Sequence, residues 1–142
     1  MVHRTARPGD LHDGKWNSLG GKLEANEDIV SGMRREIREE AGIECGEMQL
    51  AGTVSWPGFG KNGEDWFGFV FRILNWTGTV AERSPEGPLE WVPIDRVYEL
   101  NLWDGDRHFL PFVLDTTASP FHGVMPYSNG RPVSWKVGRI NS

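Results

Sequence analysis

Residues 21–43 read GKLEANEDIVSGMRREIREEAGI, and the rest of the chain is best read outward from them. Ile29, Val30, Met33 and Ile37 recur at helical spacing, Asn26 is the N-cap candidate, Glu27 and Asp28 put acid in the first turn, and Gly42 is a stop signal. The spacing predicts a helix from Asn26 to Ala41. At about 100° per residue, Glu36 and Glu40 lie about 40° apart on its surface, with Glu39 about 60° from Glu36 on the other side. Two unit charges about 5 Å apart repel by roughly 3 kcal/mol at an effective dielectric near 20, so such a cluster calls for a proton or a hard divalent cation. Oxygen-only donors suit Mg²⁺ or Mn²⁺, and Mg²⁺ shares its shell with waters and phosphate oxygens. The plainer reading is a solvated charged face with i,i+4 pairing, such as Arg35 with Glu39.

The wider pattern decides between these readings. Gly21, Glu27, Arg35, Glu36, Ile37, Glu39, Glu40, Gly42 and Ile43 stand at the spacing G-x5-E-x7-R-E-U-x-E-E-x-G-U, U being aliphatic. A complete match in a chain of this size arises by chance on the order of 10⁻⁷ or less. This pattern is the Nudix box, and the chain resembles the Nudix hydrolase superfamily. The resemblance implies an α/β class, with a loop, helix and loop held on a mixed β-sheet sandwiched between helices (α/β/α). It implies that Glu36, Glu39 and Glu40 bind metal or activate water, with Glu39 or Glu40 as general base, and that Arg35 holds loop and helix in place. The Gly20 carbonyl is implied as a metal ligand, with Gly21 and Lys22 facing phosphate. A glycine pair taken alone is more often a tight turn. Glu86, within Ser84-Pro85-Glu86-Gly87, aligns with a carboxylate that approaches the metals from a loop, although turn glutamates in general are solvated.

Three further stretches resemble the MutT-like 8-oxo-dGTP diphosphatase branch of that superfamily. They are Trp16-Asn17 before the glycines, Leu102-Trp103-Asp104-Gly105-Asp106, and Phe121-His122-Gly123. By resemblance, Trp103 stacks on a purine while Asn17, Asp104 and Asp106 hydrogen-bond its edge, chemistry that an indole, an amide and carboxyls can supply. The branch's acidic pair is only partly kept, because Gly105 aligns with one of the two carboxylates and Asp104 is shifted one place earlier. The expected reaction is hydrolysis of an oxidised or plain purine nucleoside triphosphate, such as 8-oxo-dGTP, to monophosphate and pyrophosphate. An ADP-ribose or nucleotide-sugar pyrophosphatase is the runner-up, for which Pro57 after the box is a pointer. A nucleotide-sensing domain without catalysis usually goes with loss of box glutamates, and all are present.

Around these motifs the chain reads as one domain over residues 1–142. Met48–Trp56 and Trp66–Trp76 read as strands, with Phe67, Phe69, Phe71 and Ile73 on one face and a loop at 57–63 between them. Leu89–Val92 reads as a short strand, Asp106–Leu114 as a second helix, and Phe121–Tyr127 with Pro132–Val137 as a hairpin across Asn129-Gly130. Trp16 and Trp91 read as packing aromatics, His122 as structural and Cys45 as a small buried hydrophobe. One cysteine forms no internal disulfide, and no run suits a membrane span or secretory signal, which points to the cytoplasm. Net charge is −5, which excludes the basic stripe of a nucleic-acid binder and makes a cation the intermediary for any polyphosphate. Met1-Val2-His3-Arg4 resembles the end of the family's second strand, so the fold is expected to lack the family's first strand, with either a start further upstream or another element in its place. A strand borrowed in a homodimer would cover the open sheet edge.

Overall fold

The computed structural model describes residues 1–5, 8–9 and 13–139, which fall into two compact units. The first comprises residues 1–47 and 73–103, the second residues 48–72 and 104–142.

In the first unit, β1 (Val2–His3) pairs antiparallel with β2 (Trp16–Asn17), and Val2 bridges Leu89 on its other side. Both flanks of β1 are thus occupied within this unit. Helix α1 spans Ile29–Ala41 and buries Gly32, Ile37 and Ala41. It begins later than the spacing predicts. Asp28, not Asn26, is the N-cap, its carboxylate accepting from the Val30 and Ser31 N–H groups at 2.9 and 2.8 Å, and the first turn carries no acid. Asn26 instead adopts φ 63°, a left-handed turn conformation that ends any helix running through it. Gly42 closes α1 at φ 70°, its N–H bonded to the Arg38 carbonyl. Beyond it, β3 (Glu44–Cys45) pairs with β6 (Trp76–Thr77). The long strand expected to reach Trp76 is therefore two elements, since Leu74 and Asn75 turn back to bond Glu47 and Gly46. β7 (Arg83–Ser84) pairs with β8 (Gly87–Pro88), displacing the strand expected at Leu89–Val92, and a 3₁₀ helix follows at Ile94–Glu99. Trp91 does not pack inside: it is 72% exposed and stacks on Trp76 with centroids 5.3 Å apart. Trp16 stacks on His3 at 4.4 Å, and Cys45 is buried, which pushes its thiol pKa up.

The second unit holds a mixed four-stranded sheet in the order β12 (Lys136–Arg139), β9 (Phe121–Val124), β4 (Met48–Trp56), β5 (Trp66–Ile73). β9 runs parallel to β4 and antiparallel to β12. Helix α2 (Asp104–Leu114) starts two residues earlier than expected and packs on β4, around Ala51, Val54, Val113 and Phe121. β10 (Tyr127–Ser128) and β11 (Arg131–Pro132) close the expected hairpin, with Asn129 at φ 53° and Gly130 at φ 74° as a type I′ turn requires. Phe67 and Phe69 share a face, their rings edge-on at 5.1 Å, and Phe67 is 57% exposed. His122 is structural, its Nδ1 2.7 Å from Thr53 Oγ1. Among the described residues no helix is long and apolar enough to cross a membrane. The α/β class stands.

Candidate active site

The glutamates of the box gather in the first unit, on α1 and the glycine loop before it. Arg35 is the organising group. Its Nε and Nη2 donate to the two Glu27 carboxylate oxygens at 2.7 and 2.9 Å, and Nη2 also reaches the Lys22 carbonyl at 3.1 Å. Nη1 donates to Glu36 at 3.0 Å and to Glu39 at 3.1 Å. Glu27 closes the arrangement by accepting from the Glu24 N–H at 3.0 Å, and Arg35 holds its carboxyl below the usual range. A planar guanidinium fork meets this many acceptors where an ammonium would not. Arg35 therefore ties the loop at Lys22 to the helix, a positioning role.

Gly21 has a steric reason to lack a side chain, since a Cβ there would come within 2.6 Å of Glu36 Cδ. The neighbouring Gly20, at φ 150°, donates its N–H to Glu40 Oε2 at 3.0 Å. Glu40 is otherwise poorly compensated. Burial pushes its carboxyl pKa up to about 7, with the Glu36 and Glu86 charges adding to the rise and the Gly20 N–H and Arg4 opposing it. Glu86 is brought here by Gly87, whose Cβ would collide with the His3 carbonyl, so that the β7–β8 turn lies directly on the N-terminal strand. Arg4 pairs with Glu86 at 3.1 Å.

Gly20, Glu36, Glu40 and Glu86 thus come to one neighbourhood, while Glu39 is held on the Arg35 side and is 56% exposed. Part of the carboxylate repulsion is relieved by the i,i+4 pair of Arg35 with Glu39 that the plainer reading expected, and Arg35 answers Glu36 as well, which leaves Glu40 with the residual repulsion. Among the described residues no three carboxylates are drawn in to ligand distance of one point. The donor chemistry nevertheless fits a hard divalent cation, with oxygen donors only and mutual repulsion that such an ion would remove. Sequence reasoning missed Arg4, which nothing in its local sequence marks, and gave Glu27 no role beyond its place in the pattern.

The base-contact candidates divide between the units. In the first, Asn17 has a buried side-chain oxygen without a hydrogen-bond partner among the described residues, and Lys15 Nζ lies 5.1 Å over the half-buried Trp103 ring. In the second, Asp104 is exposed at the start of α2 and lines a groove of about 530 Å³ with Arg107, His108, Arg131 and Trp135. Asp106 is half-buried and, after burial itself, is the larger charge raising the Tyr127 phenol pKa. Gly105 between them is buried against Tyr127 and Met125.

Comparison with known proteins follows the geometry. The NUDIX domain family model matches residues 1–113. The chain is 32% identical over 119 residues to the Nudix hydrolase YvcI of Bacillus subtilis, covering 81% of this chain and 73% of that protein. It is 32% identical over 101 residues to an oxidized purine nucleoside triphosphate hydrolase of Danio rerio, covering 71% of this chain and 64% of that one, so it spans just under two thirds of that relative. The crystal structure of a mutator MutT protein from Bacillus halodurans superposes with TM-score 0.81 at 29% identity, covering 96% of this chain and 86% of the other.

Proposed function

The chain belongs to the Nudix family, whose members generally use divalent metals, and from that premise we propose that it is a Mg²⁺-dependent hydrolase of purine nucleoside triphosphates, 8-oxo-dGTP among them. The observation that carries the reading is the gathering of oxygen donors in the first unit, where the Glu40 carboxyl accepts from the Gly20 N–H beside the Glu36 and Glu86 charges, a cluster whose repulsion a divalent cation would relieve. The likeness to the Danio rerio hydrolase and to the MutT structure supports the substrate class.

In this reading Gly20, Glu36, Glu39, Glu40 and Glu86 are the residues that would hold the metal. The metal would supply charge neutralisation for the polyphosphate and acidify the attacking water. The chain's own residues do the rest. Arg35 fixes the helix against the loop. Gly21 and Lys22 face the phosphates, and Glu40, or Glu39 in its place, takes the proton from water as it attacks phosphorus. One phosphoanhydride bond breaks, and nucleoside monophosphate and pyrophosphate leave. Trp103 stacks on the base with Asn17 as a polar contact; an amide oxygen buried without a partner among the described residues is costly, and a base N–H would satisfy it.

The test is product analysis with Mg²⁺ over 8-oxo-dGTP, dGTP, dATP, dCTP, ADP-ribose and diadenosine tetraphosphate. Monophosphate release from purine triphosphates, lost in Glu40→Gln, is the expected result. Preference for ADP-ribose would overturn the substrate class, and inactivity on every compound would overturn the activity.

A further inference from the structure

Glu86 sits in a turn, where a glutamate is ordinarily free in solvent. Here its backbone is held on both sides. Its N–H donates to the Ser84 hydroxyl at 3.1 Å, its carbonyl accepts from the Thr5 N–H at 3.2 Å, and Gly87 beyond it lies so close to the His3 carbonyl that a Cβ would collide. Arg4 is pinned in the same way, its N–H donating to the Lys15 carbonyl at 2.8 Å and its own carbonyl accepting from the Gly14 N–H at 2.7 Å. The two side chains then meet at 3.1 Å, with 21% of Arg4 and 32% of Glu86 exposed. An exposed ion pair is weak because it must immobilise two long side chains and because water and salt screen it. Pinning both backbones and covering most of both side chains reduces these penalties, so a competitor has to displace this pair. The turn also lies against the end of the helix that carries the box glutamates. β7, which leads into it, packs on α1, and the Ala81 N–H donates at 2.9 Å to the carbonyl of Ala41, the residue after Glu40.

We propose that Arg4 is a positioning residue that acts through Glu86, serving as its counter-ion in the metal-free protein and so limiting how tightly the protein takes up a divalent cation on its own. This rests on the reading of Glu86 as a metal-holding residue given above. A carboxylate already paired with a guanidinium is a poorer ligand than a free one, because the cation must break the pair or share an oxygen with it. A guanidinium stays charged at every working pH, and its charge also opposes the approach of a doubly charged ion. Both effects lower the affinity for metal alone. The same charge offsets the repulsion that Glu36 and Glu86 exert on Glu40 while no cation is bound.

The test is calorimetric titration of the metal-free protein with Mn²⁺ at pH 8, with no nucleotide present. Wild type is compared with Arg4→Gln, Arg4→Lys, Glu86→Gln and the variant carrying both Arg4→Gln and Glu86→Gln. Arg4→Gln is expected to bind Mn²⁺ about three- to tenfold more tightly than wild type, and Arg4→Lys, which keeps the charge, within about twofold of it. With Glu86→Gln already in place, the gain on removing Arg4 should shrink to less than about twofold, because the pair is gone. Thermal unfolding shows which variants have kept their fold; if Arg4→Gln has not, Arg4→Met, with a longer apolar stem, carries the same expectation. A contribution of Arg4 to folding alone would not tighten Mn²⁺ binding. A folded Arg4→Gln with unchanged or weaker Mn²⁺ affinity overturns the role of Arg4 and leaves the metal reading standing, as does an equal gain in the Glu86→Gln background. A wild-type protein that takes up no Mn²⁺ overturns the metal reading, and the role with it.

Discussion

Along α1, charge is managed in two different ways. At Arg35 every acid in reach is answered: Glu27 by two hydrogen bonds, Glu36 and Glu39 by one each, with the Lys22 carbonyl completing the fork. At Glu40, toward the end of the helix, a half-buried carboxyl has one backbone N–H, two acidic neighbours and only the Arg4 charge to offset them. The same pressures act at both places, and the Arg35 end spends them on geometry while the Glu40 end keeps a group whose ionisation is disfavoured until something cationic arrives. A box of nine fixed positions therefore contains a clamp and a reactive end.

The largest expected effect separates the two. Glu40→Gln lowers kcat by roughly 10²–10⁴-fold while Tm at pH 8 holds or rises, because the strained charge is gone; kinetics and differential scanning calorimetry on one preparation check both. Arg35→Lys lowers activity by roughly 10–100-fold and lowers Tm as well, since a point charge cannot hold Glu27, Glu36, Glu39 and the Lys22 carbonyl together. A Tm loss at Glu40 without loss of turnover, or the reverse at Arg35, would break the comparison.

The pH dependence of the metal-free protein sharpens it. The Glu40 pKa in the folded protein, about 7, lies above its ordinary 4.5, so the folded state holds a proton the unfolded chain releases. That contribution is fully present below pH 4.5 and is lost as pH rises through 7, so Tm should fall by roughly 2–8 °C between pH 5 and 8. Glu40→Gln flattens the slope. Glu27 has the opposite sign: its lowered pKa gives stability that is present above 4.5 and lost as pH falls below it. The smallest effect is at Arg4, which opposes the rise at Glu40. Arg4→Gln should move the Glu40 midpoint upward by less than about half a pH unit, read by carbon NMR of the carboxyl.

Local sequence carried what local physics determines. The body of α1, β4 and the Asn129-Gly130 turn were legible because helical spacing, alternation and the need for positive φ are short-range signals. The helix start was not, because Asn26 and Asp28 both suit an N-cap and only the backbone shows Asn26 left-handed with Asp28 accepting the first N–H groups. The expected strand at Leu89–Val92 failed because its supporting neighbour, Val2, comes from the other end of the unit and makes a single bridge at Leu89. Arg4 was invisible for the same reason, its partner Glu86 being distant in sequence. Trp91 reads as a packing aromatic because an indole gains from burial, yet it stays largely exposed and what it packs on is another exposed indole, Trp76. The box glutamates were legible as a set, but their division between Arg35 and Gly20 depends on a loop conformation that spacing does not encode.

The most direct measurement is phosphorus NMR of 8-oxo-dGTP incubated with the wild-type protein, first with Mg²⁺ and then with the metal chelated. The account predicts conversion to the monophosphate and pyrophosphate with Mg²⁺ and none after chelation. A triphosphate left intact in the presence of Mg²⁺, or consumed equally without it, would contradict it.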